Sequence, residues 1–177
     1  MSTICIKLSC IETSEIAGND VYIAPTTEKD IKLEKKQIEK VLNSFLGKSM
    51  QEVPMYSAVK VKGKRLYEYA RAGIEVELPK REIEIFDIEL IDFCDDEFSF
   101  RVSVSKGTYI RSLIRDIGLN LGIHCSMKKL NRIKQGKFSI ENSYTLDDIN
   151  NDKYKLIPVV DCLDDFEIVK VDKFLEN

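Results

Sequence analysis

The sequence predicts an α+β fold in which a mixed, mainly antiparallel sheet is flanked by helices. Two observations lead to this class. Segments in which apolar residues alternate lie next to one another like the arms of hairpins, and three or four other segments show helical spacing without a regular strand–helix–strand order. The 177 residues, of which 44% are hydrophobic, are enough for one domain with a small appendage.

The strands are predicted from apolar residues at every second position. Residues 3–10 form a first strand, and residues 21–24 form a short second one after the turn signal Gly-Asn-Asp. Residues 82–93 form a long strand whose muddled alternation indicates either a bulge or burial on both faces. An acidic turn at residues 95–97 then leads to residues 98–104, where Phe and Val alternate cleanly with Ser and Arg. A hairpin is therefore predicted here.

Helical spacing of apolar residues predicts three helices, each followed by a glycine that can end it, over residues 34–46, 65–71 and 110–121. Thr145 and Asp148 form a capping-box pattern that opens a fourth, short helix. Residues 51–61 are irregular, and Pro54 excludes a central strand there.

Charge is unevenly distributed along a chain of net charge −3. Residues 60–71 hold five basic residues against one acid, around a predicted turn at Lys62-Gly63-Lys64. Residues 126–137, a predicted basic strand, hold five basic residues and no acid. Residues 145–177 hold nine acids and four bases. Basic segments on an acidic chain can form a polyanion-binding surface, but charge alone favours ordinary solvated faces.

The composition argues against several other classes of protein. The five cysteines are widely spaced and form no C-x-x-C pair, and His124 is the only histidine. A zinc site is therefore not expected, and the cysteines are expected to be reduced thiols. A nucleophile built from Cys125 and His124 has poor geometry, because neighbours on a strand point to opposite faces. No apolar run approaches the roughly 18 residues of a membrane span, and no signal peptide is recognised. The expectation is a cytoplasmic protein that binds no membrane.

Three segments resemble one known family. Residues 54–60 (PMYSAVK) with 63–73 (GKRLYEYARAG) are similar to P-x-Y-S-A-x-K and G-x-x-Y-x-x-A-R-x-G of the TruB family of tRNA pseudouridine synthases. Residues 105–113 (SKGTYIRSL) resemble its C-S-K-G-T-Y-I-R-x-L motif, and residues 130–146 resemble its L-R-R…G-x-F…T-L stretch. The segments occur in the family's order and spacing, and together they cover about residues 51–149.

The resemblance implies that a uridine in the T stem-loop of tRNA is flipped out, cleaved from its ribose, and rejoined through carbon. No metal or organic cofactor is implied. Tyr109 would provide a surface for the flipped base, Leu130 an apolar wall, and Arg111 a partner for the catalytic aspartate. The residues expected to contact phosphates are Lys60, Lys62, Lys64, Arg65 and Arg132.

Each of these residues also has an ordinary structural interpretation. Without the resemblance, Tyr109 could be a half-buried core aromatic residue, Leu130 a core residue, and the lysines a solvated turn. Arg111 lies in the first turn of a predicted helix, where a cation opposes the helix dipole, and this favours a specific partner.

The sequence also departs from the family pattern. It contains neither the G-x-L-D-P-x-A-x-G segment that carries the nucleophilic aspartate nor the earlier K-P-x-G-x-T-S motif, and an expected active-site tyrosine falls at about Ser2. Asp147 and Asp164 follow leucines, but neither is followed by proline. We therefore expect a partial catalytic core over residues 1–150, an acidic extension over residues 151–177 with no separate domain such as PUA, and little activity of this chain alone.

Three interpretations remain open: a portion of a synthase, a non-catalytic tRNA-binding or RNA-chaperone-like paralogue, and an interaction scaffold. Retention of Arg111 favours the first. The expected partners are tRNA and either a complementing N-terminal segment or a second copy that associates through an exposed sheet edge.

Overall fold

The computed structural model describes residues 1–11, 33–94 and 97–163. The chain divides into two compact units, Met1–Glu141 and Asn142–Asn177. The first unit contains, in chain order, β1 (Ser2–Ile11), α1 (Lys35–Asn43), β2 (Gly47–Glu52), β3 (Lys60–Val61), β4 (Lys64–Arg65), α2 (Leu66–Arg71), β5 (Lys80–Cys94), β6 (Glu97–Val104), α3 (Ile110–Leu121), β7 (His124–Gln135) and β8 (Phe138–Ser139). The expected boundary at residue 150 stays a prediction.

Within the described residues, six strands form one antiparallel sheet in the order β2-β5-β6-β1-β7-β8. The alternation in the sequence decides which face is buried. Ile6 of β1 lies opposite Phe100 of β6, and both are buried with their apolar neighbours two residues away. Helices α1 and α3 cover this face, where Ile38 and Leu113 join the same core. The predicted α+β class is confirmed.

Helix α3 is amphipathic and packs closely on β7. Its apolar residues are buried in the core cluster, and Gly122 ends it in the left-handed conformation at φ 72°. Gly118 lies so near the next strand that a Cβ atom there would be 2.8 Å from the carbonyl oxygen of Ile123. The helix therefore approaches β7 more closely than a side chain would allow.

Two sequence predictions need correction at β2. The helix predicted to reach residue 46 ends at Asn43, and Gly47, expected to end the helix, begins a strand that was not predicted. The reason is that β2 shows no alternation of apolar residues: of its six residues only Gln51 is buried. Of the two explanations for the muddled alternation of β5, a bulge is the one that the structure supports, with register shifts between Ile85 and Asp87 and between Leu90 and Asp92.

The remaining predicted elements have mixed outcomes. The strands over 3–10, 98–104 and 126–137 and the helices over 65–71 and 110–121 are confirmed within a few residues. The predicted turn at 18–20, the strand at 21–24 and residues 95–96 lie outside the described residues.

In the second unit, α4 (Leu146–Asn150) begins with the predicted capping box. The Asp148 backbone N–H donates to Thr145 Oγ1 at 3.1 Å, and the Thr145 N–H donates to Asp148 Oδ2 at 2.9 Å. Hydrogen bonds from Thr145 lower the pKa of Asp148.

Candidate functional site

The loop between β6 and α3 is fixed to the neighbouring strand β5. Ser105 donates its backbone N–H to the Glu84 carbonyl at 2.9 Å, and its hydroxyl accepts the Glu84 N–H at 2.9 Å. Thr108 closes the loop by donating its hydroxyl to the Ser105 carbonyl at 3.1 Å. Gly107 allows the turn with φ 88°. The residue that follows this loop, Tyr109, therefore starts from a defined backbone position.

Tyr109 is the N-cap residue of α3 and is half-buried. The side-chain amide of Gln51 binds its backbone at two points. The Tyr109 N–H donates to Gln51 Oε1 at 2.8 Å, and Gln51 Nε2 donates to the Tyr109 carbonyl at 3.0 Å. The exposed fraction of Gln51 is only 4%, so water does not compete for these bonds. Gln51 was not among the residues predicted from the sequence.

Two further contacts hold β2 against α3. The Ser112 hydroxyl donates to the Glu52 carbonyl at 3.0 Å, and Arg115 Nη1 lies 3.3 Å from Glu52 Oε1. Arg111 lies in the same first turns of the helix and is exposed. The structure thus places both Tyr109 and Arg111 at one anchored helix start. The pairing of Arg111 with an aspartate stays a prediction.

A second group of side chains lies on β7 and β1. Arg132 Nη1 donates to Ser2 Oγ at 2.9 Å and to Gln135 Oε1 at 2.8 Å, and the Ser2 hydroxyl donates to the same Gln135 oxygen at 2.5 Å. Arg132 lies opposite Ile4 on β1. Residues directly opposite on paired strands point to the same face. Arg132 therefore projects on the face of the sheet that carries α3.

Leu130 shares this face, because it lies opposite Ile6. It is 36% exposed, so it is not a core residue despite its apolar side chain. The sequence had left open whether Leu130 belongs to the core or to a pocket, and its exposure excludes the core. Ser2, at the position where the resemblance led us to expect a tyrosine, is buried.

The basic residues at 60–65 form a hairpin of β3 and β4. Its turn consists of Lys62 at φ 50° and Gly63 at φ 85°, which are the two positive angles of a type I′ turn. Tyr69 donates its hydroxyl to the Val61 carbonyl at 3.0 Å and so ties the hairpin to α2. The residues of the hairpin predicted to bind phosphate are all exposed: Lys60, Lys62, Lys64 and Arg65. The hairpin thus carries four exposed cations on a supported frame.

The guanidinium groups near the hairpin are ordered by an aromatic ring. Arg65 Nη1 donates to the Tyr67 hydroxyl at 3.1 Å, and its guanidinium carbon lies 5.8 Å from the centre of that ring. Arg71 lies at 5.3 Å from the same ring. The ring of Tyr67 thus contacts two guanidinium groups next to the hairpin.

A separate ion cluster lies on the opposite face of the sheet. Glu97 binds Lys7 at 2.7 Å and also accepts a hydrogen bond from Lys128. The hydrogen bonds from Lys128 and Lys7 lower the pKa of Glu97, and the bond to Glu97 raises the pKa of Lys7. Because Lys7 alternates with the buried Ile6 and Leu8, this cluster points away from Tyr109 and Arg132.

The described residues show neither a metal-binding cluster nor a membrane-spanning helix. Within residues 1–11, 33–94 and 97–163, no group of three or more His, Cys, Asp or Glu side chains could hold a metal ion. In those same ranges, no helix has the length and apolar character needed to cross a bilayer.

Two sequence profiles of known families match the chain. Residues 6–110 match the sequence profile described as TruB family pseudouridylate synthase (N terminal domain). Residues 111–165 match the profile described as tRNA pseudouridylate synthase B C-terminal domain.

Several curated relatives share the name tRNA pseudouridine synthase B. The protein of Clostridium tetani is 45% identical over 148 residues, which are 82% of this chain and 51% of that protein. The protein of Oceanobacillus iheyensis is 43% identical over 174 residues, 94% of this chain and 56% of that protein. The chain thus spans about half the length of these relatives.

Solved structures resemble the fold. A structure titled as a Cbf5-Nop10-Gar1 complex superimposes with a TM-score of 0.60 and 26% identity, covering 85% of this chain and 35% of that one. An archaeal box H/ACA sRNP Nop10-Cbf5 complex gives a TM-score of 0.53 at 22% identity, covering 85% of this chain and 33% of that one, which shows the fold alone.

Proposed function

This chain belongs to the TruB family of pseudouridylate synthases, and we propose that it acts in converting the T-loop uridine of tRNA to pseudouridine. The reaction is an isomerisation. The bond from the ribose to N1 of uracil breaks, a bond from the ribose to C5 forms, and a proton leaves C5 while N1 gains one. No co-reactant is needed, and we propose no cofactor.

The observation that carries this proposal is the fixed backbone of Tyr109. A base that leaves its stack loses a few kcal/mol and needs another surface to contact. The ring of Tyr109 is half-buried, and its backbone is bound at both the N–H and the carbonyl by the buried Gln51. An aromatic residue held in this way is suited to receive one flipped base. Leu130, exposed on the face that carries α3, would line the opposite side.

Arg111 would hold the nucleophilic carboxylate of the family's aspartate motif. A guanidinium binds a carboxylate through two parallel hydrogen bonds and keeps it ionised. The 177 residues contain no G-x-L-D-P segment. We propose that the residues of this chain bind the T stem-loop and that turnover requires a segment with that motif.

The basic hairpin and Arg132 would bind the RNA backbone. Phosphate contacts set the position of an RNA without reading its sequence. Four exposed cations at residues 60–65 and the guanidinium of Arg132 supply such contacts. A protein that modifies tRNA works where tRNA is made, so we propose a cytoplasmic location.

A non-catalytic tRNA-binding or RNA-chaperone-like role is the second candidate. It is favoured by the exposed cations of the β3–β4 hairpin, which can bind phosphates without any catalytic group. The two candidates share the binding surface and differ only in turnover. Adding the aspartate-bearing segment of the Clostridium tetani relative in trans should produce pseudouridine if the chain is a synthase component, and none if it is a paralogue that only binds.

Binding of a T stem-loop by the full 177-residue chain tests the shared part of both proposals. We expect Tyr109→Ala to weaken binding by about 5- to 150-fold, because stacking on an aromatic ring is worth about 1–3 kcal/mol per base. Tyr109→Phe, the matched control, keeps the ring and should bind like the wild type. Equal binding by the Ala and Phe variants would remove Tyr109 from the RNA site.

A further inference from the structure

We propose that Gln51 is a positioning residue for the isomerisation: its side-chain amide fixes the backbone of Tyr109 and thereby orients the ring against the flipped uracil. This inference rests on the function proposed above, since it needs Tyr109 to contact the base. It concerns a residue on β2, which lies 58 positions away from Tyr109 in the sequence.

The side-chain amide of Gln51 makes two hydrogen bonds to the backbone of Tyr109, one as acceptor and one as donor. Gln51 Oε1 accepts from the Tyr109 N–H, while Gln51 Nε2 donates to the Tyr109 carbonyl. That carbonyl also accepts the Leu113 N–H at 3.1 Å, the first hydrogen bond of α3. Three hydrogen bonds thus fix both peptide groups that flank the Cα of Tyr109. The ring can then move only by rotation about its own side-chain bonds.

A buried glutamine is costly unless its amide is satisfied. An amide without partners in an apolar environment costs about 1–3 kcal/mol in proteins. Gln51 is 4% exposed, and it is the only buried residue of β2. An apolar residue at that position would pack without such a cost. The two bonds to Tyr109 therefore explain why an amide occupies the one buried position of this strand.

Holding α3 on the sheet does not require Gln51. The Ser112 hydroxyl and the Arg115 guanidinium both bind Glu52 and so fasten the first turns of α3 to β2. The buried apolar residues of α3, including Leu113 and Ile117, attach the rest of the helix to the sheet. What Gln51 adds to these contacts is the orientation of one residue, Tyr109.

Two variants of Gln51 separate orientation from packing. Gln51→Met keeps the length of the side chain and removes both hydrogen bonds. Gln51→Glu keeps the shape of the side chain. Its protonated carboxyl group has one O–H donor and one carbonyl acceptor, which can replace the N–H donor and the oxygen that the amide uses here. The ionised carboxylate has no donor. Burial raises the pKa of a carboxyl group, so the acid form of this variant should persist at mildly acidic pH.

The experiment measures T stem-loop affinity of the full chain, relative to the wild type, at pH 5.5 and pH 8. We expect Gln51→Met to bind weakly at both values, with a loss similar to that of Tyr109→Ala. Gln51→Glu should bind within about twofold of the wild type at pH 5.5 and approach Gln51→Met at pH 8. A purely structural role would change the melting temperature without this recovery. A pH-independent Gln51→Glu variant that binds like wild type would overturn the inference.

A double variant links the effect to Tyr109. Adding Gln51→Met to Tyr109→Ala should cause no further loss of affinity, because the ring that Gln51 orients is already gone. If the double variant loses as much further affinity as Gln51→Met loses by itself, Gln51 acts independently of Tyr109. Ser112→Ala is the matched control: it removes a bond between β2 and α3 that does not involve Tyr109, and should lower stability without changing affinity.

The outcomes also separate this inference from the proposed function. If Tyr109→Ala binds like the wild type, the function proposed for Tyr109 fails. If Tyr109→Ala is weak and Gln51→Met binds normally, only the role of Gln51 fails. Should Gln51→Met not fold, the pH series of Gln51→Glu decides the question by itself.

Discussion

The start of α3 and the basic hairpin, the two regions that we propose bind RNA, are built in opposite ways. Tyr109 is held by a buried amide and by the hydrogen-bonded loop before it. The hairpin of β3 and β4 has two residues in each strand and exposes its cations around the tight turn at Lys62 and Gly63. A single base needs a surface fixed to within a fraction of an ångström, whereas a phosphate is attracted over several ångströms. The rigid support of Tyr109 therefore suits contact with a base, and the small exposed hairpin suits contact with phosphates.

The largest expected effect concerns the support of α3. Gly118→Ala should lower the free energy of unfolding by up to about 2 kcal/mol. The new Cβ would lie 2.8 Å from the Ile123 carbonyl oxygen, a backbone atom that cannot rotate away, and this overpacking costs about 1–3 kcal/mol. Replacing a helical glycine offsets about 1 kcal/mol of that cost. Urea unfolding measures the change.

Leu119→Ala is the control for that variant. Leu119 is the next residue on α3 and is 52% exposed, so its truncation should change stability by no more than about 0.5 kcal/mol. A Gly118→Ala protein as stable as the wild type would mean that the last turns of α3 shift easily over β7, and that only the start of the helix is fixed.

The second effect concerns the hairpin. The double variant Lys62→Asn, Lys64→Gln should weaken RNA binding most at low salt and reduce the slope of log K against log salt by about 0.7 for each lost phosphate contact. Asparagine tolerates the positive φ of position 62, so the turn should persist. Stability should stay within about 0.5 kcal/mol of the wild type.

Lys35→Gln serves as the charge control for the hairpin. Lys35 is an exposed residue of α1 that pairs with Glu39 at 3.9 Å, away from the β3–β4 hairpin in sequence. The Lys35→Gln variant should leave the slope of log K against log salt unchanged. A slope that falls as much for Lys35→Gln as for one hairpin lysine would assign RNA attraction to the overall charge of the chain.

The smallest effect concerns the ion cluster of Glu97, Lys7 and Lys128. The pKa of Glu97 is lowered in the folded chain, so its contribution to stability is present above the pKa of the unfolded chain and is lost as pH falls through the lower, folded pKa. Glu97→Gln should therefore be slightly less stable than the wild type at pH 7 and equal to it near pH 2. A difference in stability that grows on acidification would contradict this sign.

Periodicity predicted those elements whose side chains alternate between core and solvent. In β6, Phe98 and Phe100 are buried while polar residues separate them, and in α3 the apolar residues recur at helical spacing, so both were predicted from the sequence. Strand β2 has no such signal. Its residues after Gly47 are polar except Met50, which is 62% exposed, and its pairing with β5 is decided by tertiary contacts.

In the candidate site too, local patterns predicted some residues and long-range contacts involve others that were missed. Tyr109 and Arg111 were found because Gly107 breaks a strand before an amphipathic helix and because the segment resembles a family motif. Gln51 was missed because its partner is 58 residues away. The contact of Ser2 with Gln135 spans 133 residues and leaves no trace in local pattern either. Such pairs depend on the register of β1, β2 and β7, which a single sequence does not specify.

The bond between Gln51 and the Tyr109 N–H has a consequence for the exchange of that proton with solvent. Backbone protons in the first turn of a helix usually exchange fast, because they have no partner within the helix. The Tyr109 proton is instead bonded to a buried oxygen at 2.8 Å, so deuterium can replace it only when β2 separates from α3. The exchange rate of this one proton therefore reports how often the helix start opens, and RNA that stacks on Tyr109 should slow it.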